Sequence, residues 1–98
     1  MNIKQLMKQA QQMQDQMQRQ MASINVEGTA GGGMVKAEMS GNKELLAITI
    51  DPSVLKEDVE LVQDLVLAAV NEGLRSAQRM VAEEMTKVTG GLKIPGLG

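Results

Sequence analysis

The chain has no cysteine, no histidine and no aromatic residue. Without cysteine there is neither a disulfide framework nor a thiolate metal site. Without histidine the commonest metal ligand is gone, together with the side chain best suited to acid–base work near neutral pH. Without Phe, Tyr and Trp there is no platform on which to stack unpaired bases. Long hydrophobic runs are missing too. No window approaches the roughly 20 apolar residues of a spanning helix, and the start, MNIKQLMKQAQQMQ, lacks the apolar block of a signal peptide. A soluble, cytoplasmic protein without metal or cofactor is the expectation, and most enzyme chemistries lose their usual actors.

The 98 residues amount to one small domain, which leaves much of its surface exposed unless it associates. The net charge of −2 excludes a simple polycation, so any phosphate contact must come from a local patch.

Residues 2–24 read as a long helix. Ile3, Leu6, Ala10, Met13, Met17 and Ile24 recur on three- and four-residue steps, with Gln20 as the polar break and Met7 and Met21 widening the stripe. Such a helix is roughly 35 Å long, too long for so small a domain to cover, so it projects or pairs with a copy of itself. From Ile24 to Asp51 the period becomes two. Ile24, Val26 and Gly28 share one face of a first strand, and Val35, Ala37 and Met39 one face of a second. Leu46, Ile48 and Ile50 alternate with Leu45, Ala47 and Thr49 in a third, whose two-sided apolar character points to a central or interface position. Gly41-Asn42 between the last two offers the positive φ of a tight hairpin. Short links favour an antiparallel meander.

Asp51-Pro52-Ser53 then opens a turn of helix, with Asp as cap and Pro at the first position. A second long helix starts at Glu57 or Asp58 and is expected to stop at Gly90-Gly91. Its centre, LVLAAV (Leu65 to Val70), is apolar all round and is expected to be buried on more than one side. Residues 1–89 form a single domain on this reading, and 90–98 a flexible tail. The fold class is α+β, in the order α-β-β-β-α.

The stretch GTAGGGMVKAEMSG (Gly28 to Gly41) raises the question of a nucleotide site. Gly28 and Gly33 have the spacing of a phosphate loop, but Met34-Val35 follow where Lys and Ser/Thr are needed. The loop leads into a strand, so no helix N-terminus is there to hold an anion. A hairpin connection is the better reading.

Nine methionines is a high count, and most lie on helix stripes. With no aromatics to fill volume, core or dimer interface is expected, and an adaptable partner groove is the alternative. Among the cations, Lys4 and Lys8 sit one turn apart with no acid within a turn. Arg75 and Arg79 share a face of the second helix, with Lys87 two turns beyond. Ordinary ion pairs at i,i+3 or i,i+4 account at least equally well for these: Asp15–Arg19, Glu72–Arg75, Arg79–Glu83 and Glu83–Lys87. Glu57-Asp58 and Glu83-Glu84 read as a cap and solvent contacts, not as catalytic pairs.

Taken in order, LMKQAQQMQDQMQ (Leu6 to Gln18), VEGTAGGGMVKAEMSG (Val26 to Gly41), ITIDPSVL (Ile48 to Leu55), DLVLAAVNEG (Asp64 to Gly73) and the GG and KIPG of the tail resemble the YbaB/EbfC family of bacterial nucleoid-associated DNA-binding proteins. The resemblance covers essentially the whole chain. It implies a homodimer whose strands and second helix form a shared body, with helical arms that bind duplex DNA with little or modest sequence preference. It also implies a location at the nucleoid and a link to replication or recombination proteins. It carries no catalytic residue. On such arms the basic positions are Lys4, Lys8, Arg19, Arg75, Arg79 and Lys87. The expected partners are therefore duplex DNA and a second copy, with no membrane and no small-molecule substrate. The rival is a protein–protein adaptor that docks a helix on the Met-rich seam. A small enzyme comes third.

Overall fold

The computed structural model describes residues 2–91, with side chains as far as Lys87. Of the tail expected at 90–98, residues 92–98 lie outside the described residues. Helix α1 spans Ile3–Ser23 and is capped by Asn2, whose side-chain oxygen accepts a hydrogen bond from the Lys4 amide at 3.1 Å. The chain leaves α1 through extended Ile24 and enters β1 (Asn25–Ala30), β2 (Val35–Ser40) and β3 (Leu45–Ile50). A 3-10 turn at Pro52–Lys56 precedes α2, Val59–Gly91.

The strands form an antiparallel meander in the order β1-β2-β3. The third strand is therefore an edge and not central, because β2 takes the middle place. Its alternation is also broken: Glu38 faces Ala47 and Met39 faces Leu45, which leaves Leu46 as an extra residue in a bulge. Between β1 and β2, Gly31, Gly32 and Gly33 all hold positive φ, a run that side chains would strain. Between β2 and β3 the positive φ falls on Lys43, at 62°, and not on Gly41-Asn42.

Helix α2 lies across one face of β1 and β2. Val35, Ala37, Val54 and Ala69 make the buried centre, with Ala30, Ile50, Val62, Leu65, Val66 and Val70 packed against it. Among the described residues the largest fully buried side chains are Val35 and Val54, so the core is thin. Each supplies only about 1.5–3 kcal/mol. Of the LVLAAV segment, Ala69 is buried and Leu65, Val66 and Val70 are half-buried, while Leu67 is 61% exposed. Within one chain that segment is buried on one side only. Among the methionines with described side chains only Met39 is buried, so the stripe is not a core of the single chain.

Both caps of the 3-10 turn and α2 match their sequence signals. Asp51 accepts hydrogen bonds from the Ser53 amide (2.9 Å) and hydroxyl (2.8 Å), and Asp58 accepts one from the Leu61 amide (2.8 Å). At the other end α2 continues through Gly90 and Gly91, where the sequence predicts a stop. At 33 residues α2 is about 50 Å long and outruns the sheet. No residue of α1 is buried. The result is an elongated chain, 66 × 32 × 17 Å, with a radius of gyration of 18.9 Å. A compact domain of this size would have about 13 Å.

Candidate nucleic-acid interface

An α-helix advances 100° per residue, and that angle sorts α1 into two faces. Ile3, Leu6, Ala10, Met13 and Met17 lie along one. Lys4, Lys8, Asp15, Arg19 and Ala22 lie along the other. Among the described residues the apolar seam meets α2 at its base, where Met17, Met21 and Ile24 line a cleft of about 240 Å³ with Glu84 and Met85. Further out, Ile3, Met7 and Met13 are about two-thirds exposed.

The six basic candidates are all exposed and fall into two groups. On α1, Lys4 and Lys8 have no ion-pair partner among the described residues. Arg19 donates from Nε to the Asp15 main-chain carbonyl (3.4 Å), where the spacing rule predicts a pair with the carboxylate. On α2 the cations are paired. Arg75 meets Glu72 at 3.1 Å as expected. Arg79 meets the same carboxylate at 3.7 Å and not Glu83, while donating to the Ser76 hydroxyl at 3.1 Å. Lys87 pairs with Glu84 at 3.4 Å and not with Glu83. These are exposed pairs, each worth about 0–1 kcal/mol, so they hold the cations only loosely. Arg75 and Arg79 project from the face of α2 opposite the line Ala69, Gly73 and Ala77, which packs on the sheet.

Arg19 also belongs to a shallow groove at the foot of α1, formed by Asp15, Gln18, Arg19, Ala22 and Asn42. Asn42 enters it from the β2–β3 turn and donates from Nδ2 to the Gln18 carbonyl at 3.5 Å. In the sequence Asn42 reads only as a turn residue, and nothing local in the chain signals that it lies beside the helix base, 24 residues earlier.

The glycine loop joins two antiparallel strands, and no helix begins at it. Among the described residues no three His, Cys, Asp or Glu side chains gather into a group that could hold a metal ion. No helix among them is long and apolar enough to cross a membrane.

A three-stranded meander between two projecting helices defines a class of small α+β proteins. The crystal structure of an uncharacterized protein from Helicobacter pylori has the same fold, with a TM-score of 0.68 and 24% identity over 92% of this chain and 91% of that one. Closer in sequence are proteins named as nucleoid-associated. One from Thermoanaerobacter pseudethanolicus is 58% identical over 98% of this chain and 90% of its own length, and one from Chloroflexus aurantiacus is 50% identical over 95% and 97%. The sequence profile of the YbaB/EbfC DNA-binding family matches residues 1–92. This chain belongs to that family of bacterial nucleoid-associated proteins.

Proposed function

We propose that the chain binds duplex DNA as a homodimer, without catalysis, through phosphate contacts made by its helical arms. The observation that carries the reading is the pair Lys4 and Lys8, exposed and unpaired on an arm with no buried residue. A cation without an intramolecular partner has no carboxylate to leave before it meets a phosphate. Arg75, Arg79 and Lys87 act as secondary contacts, because each must first leave a carboxylate. Arg19 serves the foot of the arm.

The thin core and the apolar surface on β3 and α2 support assembly. Leu45, Leu46, Ile48, Leu61 and Leu67 are each 40% or more exposed. Covering them with a second copy buries what one chain cannot. Two copies also double the phosphate contacts, so two weak patches act as one site. If each subunit neutralises about three phosphates, log affinity falls against log salt with a slope of roughly −5 for the dimer. Without an aromatic wedge, sequence preference is low or comes from duplex shape. The protein acts at the nucleoid in the cytoplasm, with a link to replication or recombination.

A second reading, an adaptor, has its own support in the Met17–Met21–Met85 cleft, since methionine surfaces adapt to partner helices. Fluorescence anisotropy on a random-sequence duplex, from about 50 to about 200 mM salt, separates the two. Steep salt-dependent binding by a dimer is expected. No binding at low salt would sink the DNA reading in favour of the adaptor.

A further inference from the structure

Lys43 holds φ at 62°, the one described non-glycine residue in the left-handed region. Glycine or asparagine would hold that conformation at less cost, and both are present next door. Yet Gly41 and Asn42 take ordinary φ, and the lysine takes the strained place. Backbone strain retained at an exposed, charged residue calls for a role outside the turn itself.

The turn is also fixed to the arm. The Gly41 amide donates to the carbonyls of Met21 (3.0 Å) and Ile24 (3.1 Å), at the end of α1. A Cβ on Gly41 would press against the Met21 carbonyl, so only glycine allows this approach. The Ser40 hydroxyl accepts hydrogen bonds from the amides of Asn42 (3.2 Å) and Glu44 (3.3 Å), and the Lys43 amide donates to the Ser40 carbonyl (3.0 Å). Lys43 therefore moves with the foot of α1. Its neighbour Asn42 shares a groove with Gln18 and Arg19.

We propose that Lys43, together with Arg19 and Asn42 of the adjoining groove, contacts duplex phosphate at the foot of the arm, opposite in the groove to the phosphates met by Lys4 and Lys8. The proposal rests on the duplex-binding reading. Along α1, Lys4 and Arg19 are fifteen residues apart, or roughly 22 Å. That exceeds the ~12 Å width of the major groove, so an arm laid across it reaches a phosphate wall at each end. Lys43 has no ion-pair partner among the described residues, as for Lys4 and Lys8. The nearby carboxylates are Asp15, in the groove, and Glu44, next in the chain. They leave Lys4, Lys8, Arg19 and Lys43 in excess.

A purely structural role is the competing explanation. Helix α1 has no basic residue in its last turn, and Lys43 could offset the negative end of its dipole. Lys43→Gly distinguishes the two, because glycine relieves the strained φ while removing the charge. Wild type, Lys43→Gly and Lys43→Arg are compared by anisotropy on one random-sequence duplex across a salt series, with thermal unfolding in parallel. The expected result is several-fold weaker binding for Lys43→Gly and a log–log slope less steep by about 2 for the dimer. Lys43→Arg keeps wild-type slope, and Lys43→Gly unfolds at or above the wild-type temperature. Wild-type affinity and slope in Lys43→Gly would overturn the proposal while leaving DNA binding intact, and a lowered unfolding temperature alongside would assign Lys43 to the helix dipole. Absence of binding by wild type would overturn the duplex reading itself, and this contact with it.

Discussion

Gly28 on β1 and Gly73 on α2 meet backbone to backbone. A Cβ on Gly28 would overlap the Gly73 amide and the Ala69 carbonyl, and one on Gly73 would lie 2.8 Å from Met39 Cγ. This crossing sets how closely α2 approaches the sheet, and so sets the packing of Ala69 on Val35 and Ala37. Gly28→Ala must push a strand off a helix, at a cost of about 3 kcal/mol. Gly32→Ala offers a comparison, because φ is 68° there but open space surrounds the position. Backbone strain alone costs about 1 kcal/mol. Urea unfolding of both variants should rank Gly28→Ala well below Gly32→Ala. Equal midpoints would mean that the crossing relaxes freely.

Asp51 gives stability a pH dependence. Hydrogen bonds from the Ser53 amide first, and then the Ser53 hydroxyl, hold its carboxyl below the ordinary aspartate pKa. A pKa lower in the folded than in the unfolded chain means that the unfolded state binds the proton more readily. The contribution is therefore present above the ordinary aspartate value and is lost as pH falls through the depressed one. Between neutral pH and pH about 3, wild type should lose more stability than Asp51→Ala, which has no carboxylate to protonate there. Parallel losses in the two proteins would show that the cap carries no such linkage.

The arm cations are expected to separate by their pairing. On the proposed duplex reading, Lys4→Ala/Lys8→Ala removes four phosphate contacts from a dimer, and the salt slope should become less steep by about 3 to 4. Fold and dimer are unchanged, since neither lysine packs on anything described. Arg75→Ala/Arg79→Ala removes two cations already shared with Glu72 and has the smaller effect on slope. Anisotropy across a salt series, with light scattering as control, measures both. The reverse ranking would move the DNA contact from α1 to α2.

The element order was legible because each change of hydrophobic period coincided with a physical boundary. The seam from Ile3 to Met17 marked a helix, the alternation Val35, Ala37, Met39 a strand, and Asp51-Pro52 and Asp58 two helix starts. What escaped depended on contacts remote in sequence. Gly41 reads as the turn's flexible residue, yet it is small because the Met21 carbonyl lies against it, and the left-handed φ falls on Lys43 instead. The bulge at Leu46 was hidden because Leu45 and Ala47 flank it, so a one-residue slip keeps the pattern apolar. Arg79 turned back two helical turns to Glu72, which near-neighbour spacing does not anticipate. The candidate cations themselves were visible, but Lys43 was not among them.

The edge strand β3 carries the last prediction. LLAITI contains neither a charge nor a proline, the usual means of blunting an exposed edge, and only the bulge at Leu46 interrupts it. Helix α2 covers β1 and β2, which leaves Ile48 40% exposed on the face that Val35 and Ala37 share. Left open, such a strand would pair with any other. On the homodimer proposal a second copy covers it and closes the body, and each Leu or Ile buried there contributes about 1.5–3 kcal/mol. Ile48→Asp places two carboxylates in that contact, one from each copy. Sedimentation and light scattering should find it monomeric at concentrations where wild type is dimeric, and its duplex affinity should fall with the loss of the second set of arms. Circular dichroism checks that the single chain still folds. An Ile48→Asp protein that remains a dimer of wild-type strength would put the interface elsewhere, on α2 around Leu61 and Leu67.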